Sequence, residues 1–441
     1  MTIFALASGG RRAGVAVVRA SGPQAGAALK ALTGRPLPPP REMTLAGLRN
    51  PRDGALIDRA LVVWFQGPAS FTGEDVAEFH LHGGPAVVAA LVETLAALPG
   101  LRPAEAGEFS RRAFENGKLD LTRAEGLADL INAETEAQRR QAMRQMDGAL
   151  ARLYDGWRER LVGALAHVEA GIDFSEEELP AGMVDQATAA IAAIHRAITA
   201  HLADRGRGER LRDGFHIVIL GAPNVGKSSL LNALIRREAA IVSPQPGTTR
   251  DVIEGHLDLG GYPVVLADTA GLREAAQDIE REGIARARAR AAQADLTLML
   301  CDAREGPAAP DKTTGEAACL TVYNKADLVS AAKRQGLAAV GWVVSAKSGA
   351  GLDELTAELT RRAAAGLDSG CQPVITRARH RRSLQDCLEH LARCLSPEEE
   401  GAAELAAEDL RLAVRALGRI TGRVDVEDLL DVVFRDFCIG K

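Results

Sequence analysis

The spacing of apolar residues changes repeatedly along the chain, and each change predicts a different kind of structure. Up to about residue 118 the apolar residues come in short runs, Gly14 to Ala20 and Ala60 to Phe65, with Val76, Phe79 and Leu81 in a third, each bounded by Gly, Pro or Ser. Runs of that length with such ends predict strands. The stretch Pro36 to Pro40 predicts a loop, and Pro85 opens a helix carrying Val88, Leu91, Val92 and Leu95 that stops at Pro99-Gly100. From Leu119 to about Arg212 steps of three and four take over, as in Leu150, Leu153, Trp157, Leu161, Leu165 and Val168, which fall on one helical face. Within that region Ile172 to Gly182, with Glu176, Glu177 and Glu178 before Pro180, predicts a loop, and the charged stretch Gly206 to Asp213 a boundary.

Between Phe215 and about Arg362, strand and helix patterns alternate. Phe215 to Leu220, Tyr262 to Ala267, Leu296 to Cys301, Leu320 to Tyr323 and Trp342 to Val344 predict the strands of a doubly wound α/β domain. After Cys371 the helical period returns in Leu384, Leu388, Leu391 and Leu395, then Leu410, Ala413, Val414 and Leu417, then Val426, Leu429, Leu430 and Val433. Both flanks of the α/β region share one character, so the economical reading is a helical domain interrupted by an inserted one. The expected class is multidomain, α+β and α/β, with an N-terminal α/β part at 1–118, helical parts at 119–212 and 369–441, and the inserted domain at 213–368.

Length and composition narrow the class. The 441 residues are several times the ~150 of a single domain, and 46% hydrophobic with 25% charged residues is a globular balance. No apolar run approaches the roughly 18 residues that cross a bilayer, and Met1 to Gly10 lacks the plan of a signal peptide, so a cytoplasmic protein without a membrane partner is expected. The six cysteines lie in the last third without zinc-site spacing, which predicts reduced thiols. A net charge of -6 and 4% aromatics supply neither a basic surface nor stacking platforms, which argues against a chain that grips nucleic acid unaided.

The densest chemistry lies at Gly221-Ala222-Pro223-Asn224-Val225-Gly226-Lys227-Ser228, a complete G-x-x-x-x-G-K-[ST] between an apolar strand and a helix with Leu230, Leu231 and Leu234. Backbone N–H groups of Asn224 to Ser229 can close around a β-phosphate, Lys227 can neutralise the β/γ-phosphates, and the Ser228 hydroxyl can ligate magnesium. Asp268-Thr269-Ala270-Gly271 follows a strand, where the carboxylate can hold magnesium through water and the Gly271 N–H can meet the γ-phosphate. Asn324-Lys325-Ala326-Asp327 follows the next predicted strand but one; Asp327 can accept from N1–H and the exocyclic amine of guanine, which adenine does not offer, and Ser345-Ala346-Lys347 would close over the base. Thr249 in Pro246-Gly247-Thr248-Thr249-Arg250-Asp251 is the expected switch threonine on magnesium. The ordered set predicts a guanine nucleotide. Leu272 stands where Ras-type enzymes carry the water-orienting glutamine, so hydrolysis needs another group. Asn224, with carbonyls of the loop Ser243 to Thr248, can hold a monovalent cation.

GAPNVGKSSLLN, PGTTRD, DTAGLRE and NKAD resemble the TrmE-Era-type GTPases. The ending Phe437-Cys438-Ile439-Gly440-Lys441 after TGRVDVEDLLDVVF, with GEDVAEFHLHGGP and ENGKLDLTRAEGLADLI near the start, is similar to the MnmE (TrmE) family of tRNA-modifying GTPases across essentially the whole chain. The resemblance implies an N-terminal folate-binding and dimerising domain, a discontinuous all-α helical domain and an inserted Ras-like P-loop G domain. It implies a homodimer with potassium-stimulated GTP hydrolysis. With an FAD-dependent partner of the MnmG type, in a heterotetramer or larger complex, it would add an aminomethyl or carboxymethylaminomethyl group at C5 of the wobble uridine of certain tRNAs, using a tetrahydrofolate-borne carbon.

Residue by residue, the resemblance implies potassium at Asn224, Ser243, Gln245 and Thr248, and magnesium at Ser228 and Thr249, with Gly247 and Ser229 lining the nucleotide. Glu280 would orient the catalytic water. Ser243-Pro244-Gln245-Pro246 departs from the usual Thr/Ser-Asp-Ile-Ala/Pro, but its carbonyls, the main potassium contacts, are retained. Arg19, Glu78 and Lys118 match folate positions, and Lys441 is a further candidate contact. Cys438 is a candidate nucleophile for C6 of uridine, or a small apolar cap near the C-terminus; both readings stay open. Two alternatives from other classes are a regulatory GTPase switch in ribosome assembly, which requires an RNA-binding module, and a folate-binding scaffold whose G domain gates assembly. The run Arg377, Arg379, His380, Arg381, Arg382 is the dense basic cluster of the C-terminal helices.

Overall fold

The computed structural model describes residues 1–9, 12–173, 183–237, 253–268, 294–307, 318–368, 370, 372–396, 402–424, 427–435 and 437–440. It divides into two compact units, one of Met1–Ala128, Gln145–Ile191 and Glu389–Lys441, the other of Asp129–Arg144 and Ala192–Leu388.

The chain begins with β1 (Thr2–Leu6), β2 (Ala13–Ser21), α1 (Ala25–Thr33), β3 (Thr44–Arg49), β4 (Leu56–Phe65), β5 (Val76–Gly83), α2 (Pro85–Ala96), β6 (Leu101–Pro103) and α3 (Glu108–Glu115). The strands form one sheet in the order β3-β4-β5-β2-β1-β6, antiparallel except for the parallel pair β1–β6. Period-two alternation sends Val18, Ala20, Val62, Trp64, Phe79 and Leu81 into a core with Leu29 and Leu32 of α1 and Leu91 and Leu95 of α2. Each fully buried large apolar side chain there contributes about 1.5–3 kcal/mol relative to exposure.

Helices α4 (Leu121–Asn132), α5 (Glu136–Met146), α6 (Ala149–Asp173), α7 (Met183–Leu202) and α8 (Arg207–Asp213) follow. The stretch Gly206 to Asp213, expected as a boundary, carries α8 from Arg207 onward, and its Arg210 pairs with Asp295 at 2.9 Å. Helix α6 also runs on through Ile172 and Asp173, into the segment expected as a loop.

The second sheet is built from β7 (Phe215–Leu220), β8 (Ile253–Leu259), β9 (Tyr262–Asp268), β10 (Leu296–Asp302), β11 (Ala318–Asn324) and β12 (Trp342–Val343), interleaved with α9 (Lys227–Arg237), α10 (Ala331–Ala338) and α11 (Leu352–Leu367). Its order is β12-β11-β10-β7-β9-β8, parallel apart from the hairpin β8–β9. Ile217, Ile219, Leu266, Leu298, Leu300 and Val322 form the middle of its core, packed with Leu230, Leu231 and Leu234 of α9 and Leu355 and Leu359 of α11. In the same unit α5 is anchored by polar contacts: Gln138 and Gln141 donate to the carbonyls of Arg212 and Gly208, each at 3.0 Å, and Ala137 N–H donates to Gly261 O at the β8–β9 turn.

The chain closes with α12 (Ala378–Leu395), α13 (Ala402–Thr421) and α14 (Glu427–Arg435). Helix α13 packs along α6, burying Leu410, Ala413, Leu417 and Ile420 of one and Tyr154, Trp157 and Leu161 of the other. Leu430, Phe434 and Phe437 close a smaller cluster with Leu121, Ala124 and Ala128.

Candidate nucleotide site and N-terminal charged site

In an open α/β sheet, ligands bind outside the carboxyl ends of the strands. Those of the predicted nucleotide residues that are described stand there. Asn224 to Gly226 lead from β7 into α9, whose first turn holds Lys227, Ser228 and Ser229. Gly226 has φ +100, and a Cβ on it would overlap the Asn324 amide, so the loop can pass this point only as glycine. Lys227 Nζ folds back onto the carbonyls of Gly221 at 2.9 Å and Ala222 at 3.0 Å.

Asn324, 2% exposed at the end of β11, binds protein rather than opening toward a ligand. Its Nδ2 donates to Val225 O at 2.9 Å and its Oδ1 accepts from Ala346 N–H at 3.0 Å, which ties P-loop, NKAD loop and SAK loop together. Lys325 takes a left-handed backbone, φ +66, and its Nζ donates to Asn224 O at 2.7 Å. Asp327 is exposed and accepts from Ser345 Oγ at 2.6 Å. That hydrogen bond, helped by the nearby Lys347, holds its carboxyl below the usual carboxylate range, so the acceptor for a base N–H stays ionised.

The sequence reading missed two contributors to this site. Asp302, the last residue of β10, pairs with Lys325 Nζ at 2.8 Å and with Arg304 at 2.7 Å. Arg237, at the end of α9, donates to Gly349 O at 3.2 Å and pairs with Asp353, joining the P-loop helix to the segment beyond Ser345. The available signal was an acid ending a buried strand in a doubly wound sheet. Asp268 ends β9 as expected. Ser243, Gln245, Gly247, Thr248, Thr249, Thr269, Ala270, Gly271, Glu280 and Lys441 lie outside the described residues.

In the N-terminal sheet, Arg19 and Glu78 face each other across β2 and β5. Arg19 Nε donates to Glu78 Oε1 at 2.9 Å, and its guanidinium lies 5.7 Å from the Phe71 ring centroid and 5.9 Å from that of Phe109. His80 Nε2 lies 3.3 Å from Glu78 Oε2. The pair keeps 18% and 15% of its side-chain surface exposed, so a polar ligand can reach it. Lys118 is exposed, with its stem crossing Gly73.

The C-terminal tail meets the same strand system. Ile439 bridges Ala106, and Gly107 N–H donates to Cys438 O at 3.5 Å. Gly440, at φ +101, lies so close to Leu6 that a Cβ would collide with its carbonyl. Since Ala5 is the β1 partner of Arg19 and Leu6 that of Val18, the tail reaches β1 one position from the Arg19 row. Phe437 is buried as the anchor and Cys438 is exposed.

Two arginines of the basic run, Arg377 just before α12 and Arg381 within it, are engaged internally. Arg377 pairs with Asp129 at 2.7 Å, and Arg381 pairs with Asp204 and Glu209, each at 2.7 Å. Among the described residues no helix is long and apolar enough to cross a membrane.

Comparison with known proteins covers both the sheet domain at the start and the helices. A model of the GTP-binding protein TrmE N-terminus matches residues 2–118, and a model of the MnmE helical domain matches residues 121–438. A tRNA modification GTPase MnmE from Parvibaculum lavamentivorans is 57% identical over 100% of this chain and 100% of its own length. A tRNA modification GTPase MnmE from Rhodospirillum rubrum is 57% identical over 100% of this chain and 99% of its own. The mitochondrial 5-taurinomethyluridine-[tRNA] synthase subunit GTPB3 of Homo sapiens is 50% identical over 100% of this chain and 93% of its own length.

Proposed function

The chain belongs to the MnmE (TrmE) family of tRNA modification GTPases, and on that premise we propose that it hydrolyses GTP in a potassium-stimulated way and, with an FAD-dependent MnmG-type partner, adds an aminomethyl or carboxymethylaminomethyl group at C5 of the wobble uridine of tRNA. The observation that carries this reading is the match along the whole chain, sheet domain and helices included, to tRNA modification GTPases. A C5-substituted uridine also stands in the name of the human relative.

On this reading the three parts are 1–118 for folate binding and homodimerisation, 119–212 with 369–441 for the helical domain, and 213–368 for the G domain, in a cytoplasmic protein. Asp327 accepts the guanine N1–H and amine, and Ala346 and Lys347 cover the base. Lys227 and the N–H groups from Asn224 to Ser229 hold the phosphates. The hydroxyls of Ser228 and Thr249 are hard oxygen donors suited to magnesium, which neutralises phosphate charge. Asn224, Ser243, Gln245 and Thr248 present oxygens to potassium, whose charge substitutes for an arginine finger. Glu280 orients the attacking water.

At the N-terminal sheet, Glu78 and Arg19 offer an acceptor and a cation side by side, a donor set that fits the amino groups of a pterin and the carboxylates of a glutamyl tail, with Lys118 and Lys441 as further cations. A tetrahydrofolate bound there supplies the one-carbon unit. The tail sets Cys438 beside this sheet. The internal pairing of Arg377 and Arg381 supports a chain that leaves most of the tRNA grip to its partner, and it disfavours the ribosome-assembly reading. Reconstitution tests the proposal: this protein with the partner, tRNA, GTP and methylene-tetrahydrofolate should yield C5-modified uridine, and product formed equally without this protein would refute it.

A further inference from the structure

Asp302 has no role in the motifs that mark the nucleotide site, yet it stands between two of them. It is the last residue of β10, opposite Asn324 in the register of β10 and β11, and is only 3% exposed. A carboxylate so deep requires partners. Two cations supply them. The Arg304 side chain grips it from one side, Nε to Oδ1 at 3.0 Å and Nη2 to Oδ2 at 2.7 Å. Lys325 Nζ donates to Oδ2 from the other at 2.8 Å.

The same Lys325 ammonium donates to the Asn224 carbonyl at 2.7 Å. One cation is thus held at two points, one on the strand beside the base loop and one on the P-loop. Lysine carries a long, flexible stem, and a single neutral carbonyl is a weak restraint on it; a buried carboxylate fixes its direction. Both backbones it joins, at Lys325 with φ +66 and Asn224 with φ +65, lie in the left-handed region that non-glycine residues adopt only under restraint.

We propose that Asp302 is a positioning residue for guanine-nucleotide binding, aiming the Lys325 ammonium at the Asn224 carbonyl so that base loop and P-loop are held as one unit. The proposal rests on the reading of this site as a guanine-nucleotide site. The competing role is purely local: Asp302 also caps its own turn, accepting from Arg304 N–H at 2.9 Å, with Glu305 N–H on its carbonyl at 3.0 Å. In that role Arg304 and not Lys325 would be the partner that matters.

The two are separated by equilibrium and stopped-flow binding of a fluorescent GDP analogue to the full chain. Asp302→Asn keeps the shape and removes the charge; its GDP Kd should rise about tenfold, mostly through faster release, as for loss of a charge-assisted contact. Arg304→Gln, which leaves Lys325 and Asp302 paired, should stay within about twofold, the range of an exposed partner. Lys325→Met and the double variant Asp302→Asn/Lys325→Met should bind alike, because Asp302 acts through Lys325. Asp302→Ser, smaller and uncharged, serves the same comparison if the asparagine variant does not fold. Unchanged GDP release in the Asp302 variants, an Arg304→Gln defect as large as theirs, or additive losses in the double variant would overturn the proposal. A wild-type chain that does not bind GDP would overturn the site reading itself.

Discussion

The side chain of Asn324 spans from the end of β11 to the P-loop, where its Nδ2 donates to the Val225 carbonyl at 2.9 Å. Its other end accepts from Ala346 N–H, so one buried amide sets the spacing of three candidate nucleotide-binding loops. Replacing it with Ala leaves both backbone groups unmet, which costs about 1–3 kcal/mol. Asn324→Ala should therefore bind GDP at least about tenfold more weakly, as read by titration with a fluorescent analogue, and melt at lower temperature. Wild-type affinity would show that the loops are spaced by other contacts.

The cation proposal predicts that GTP turnover rises sharply in potassium over sodium. Glu280→Ala should depress turnover by roughly 10²-fold or more, as expected for loss of the group that orients the attacking water, with GTP affinity nearly intact. Equal rates in the two salts with G-domain dimerisation confirmed would remove the cation, and a matching loss of affinity would make Glu280 structural.

Gly440 docks the C-terminal tail where no side chain fits. Gly440→Ala combines a backbone at φ +101 with a collision at Leu6 O, so the tail and Cys438 should leave the sheet. Wobble modification should fall strongly while GTP turnover stays near wild type. Modification at the normal rate would show that the tail position does not matter to the chemistry.

Thiol reactivity should divide by burial. Burial pushes the Cys394 thiol up to about 12, from an ordinary value of 9.0. Folding therefore favours its neutral form; that contribution is complete below the ordinary value and is lost as pH rises toward 12. At pH about 8, where reactivity follows the thiolate, iodoacetamide should label exposed Cys438 and Cys319 and spare Cys394 and buried Cys387. Equal labelling of Cys394 in peptide mapping would contradict the α12–α13 packing, in which its Sγ lies 3.4 Å from Ala406 O.

What could be read from the sequence depended on whether the signal was local. β7 and β10 were legible because strands buried on both faces are continuous apolar runs, and α6 because its buried residues repeat every three or four. β1, β3 and α1 were missed: TIFAL is short, TLAGLR holds a glycine, and AGAALKALT is rich in alanine, with little contrast between faces. The nucleotide motifs were legible because phosphate and guanine recognition need fixed residues at fixed spacing. Asp302 was not, because its meaning comes from lying opposite Asn324, a register that only the folded sheet creates. For the same reason Arg19 and Glu78 look ordinary apart and come together as a charged pair only when β2 and β5 pair.

The most direct test of the functional account is mass analysis of wobble nucleosides in tRNA from cells that lack this protein. The account predicts that C5 aminomethyl-type substituents disappear from the uridines that carry them and return when the wild-type gene is restored. Unchanged wobble uridines, with ribosomal RNA precursors accumulating instead, would contradict it.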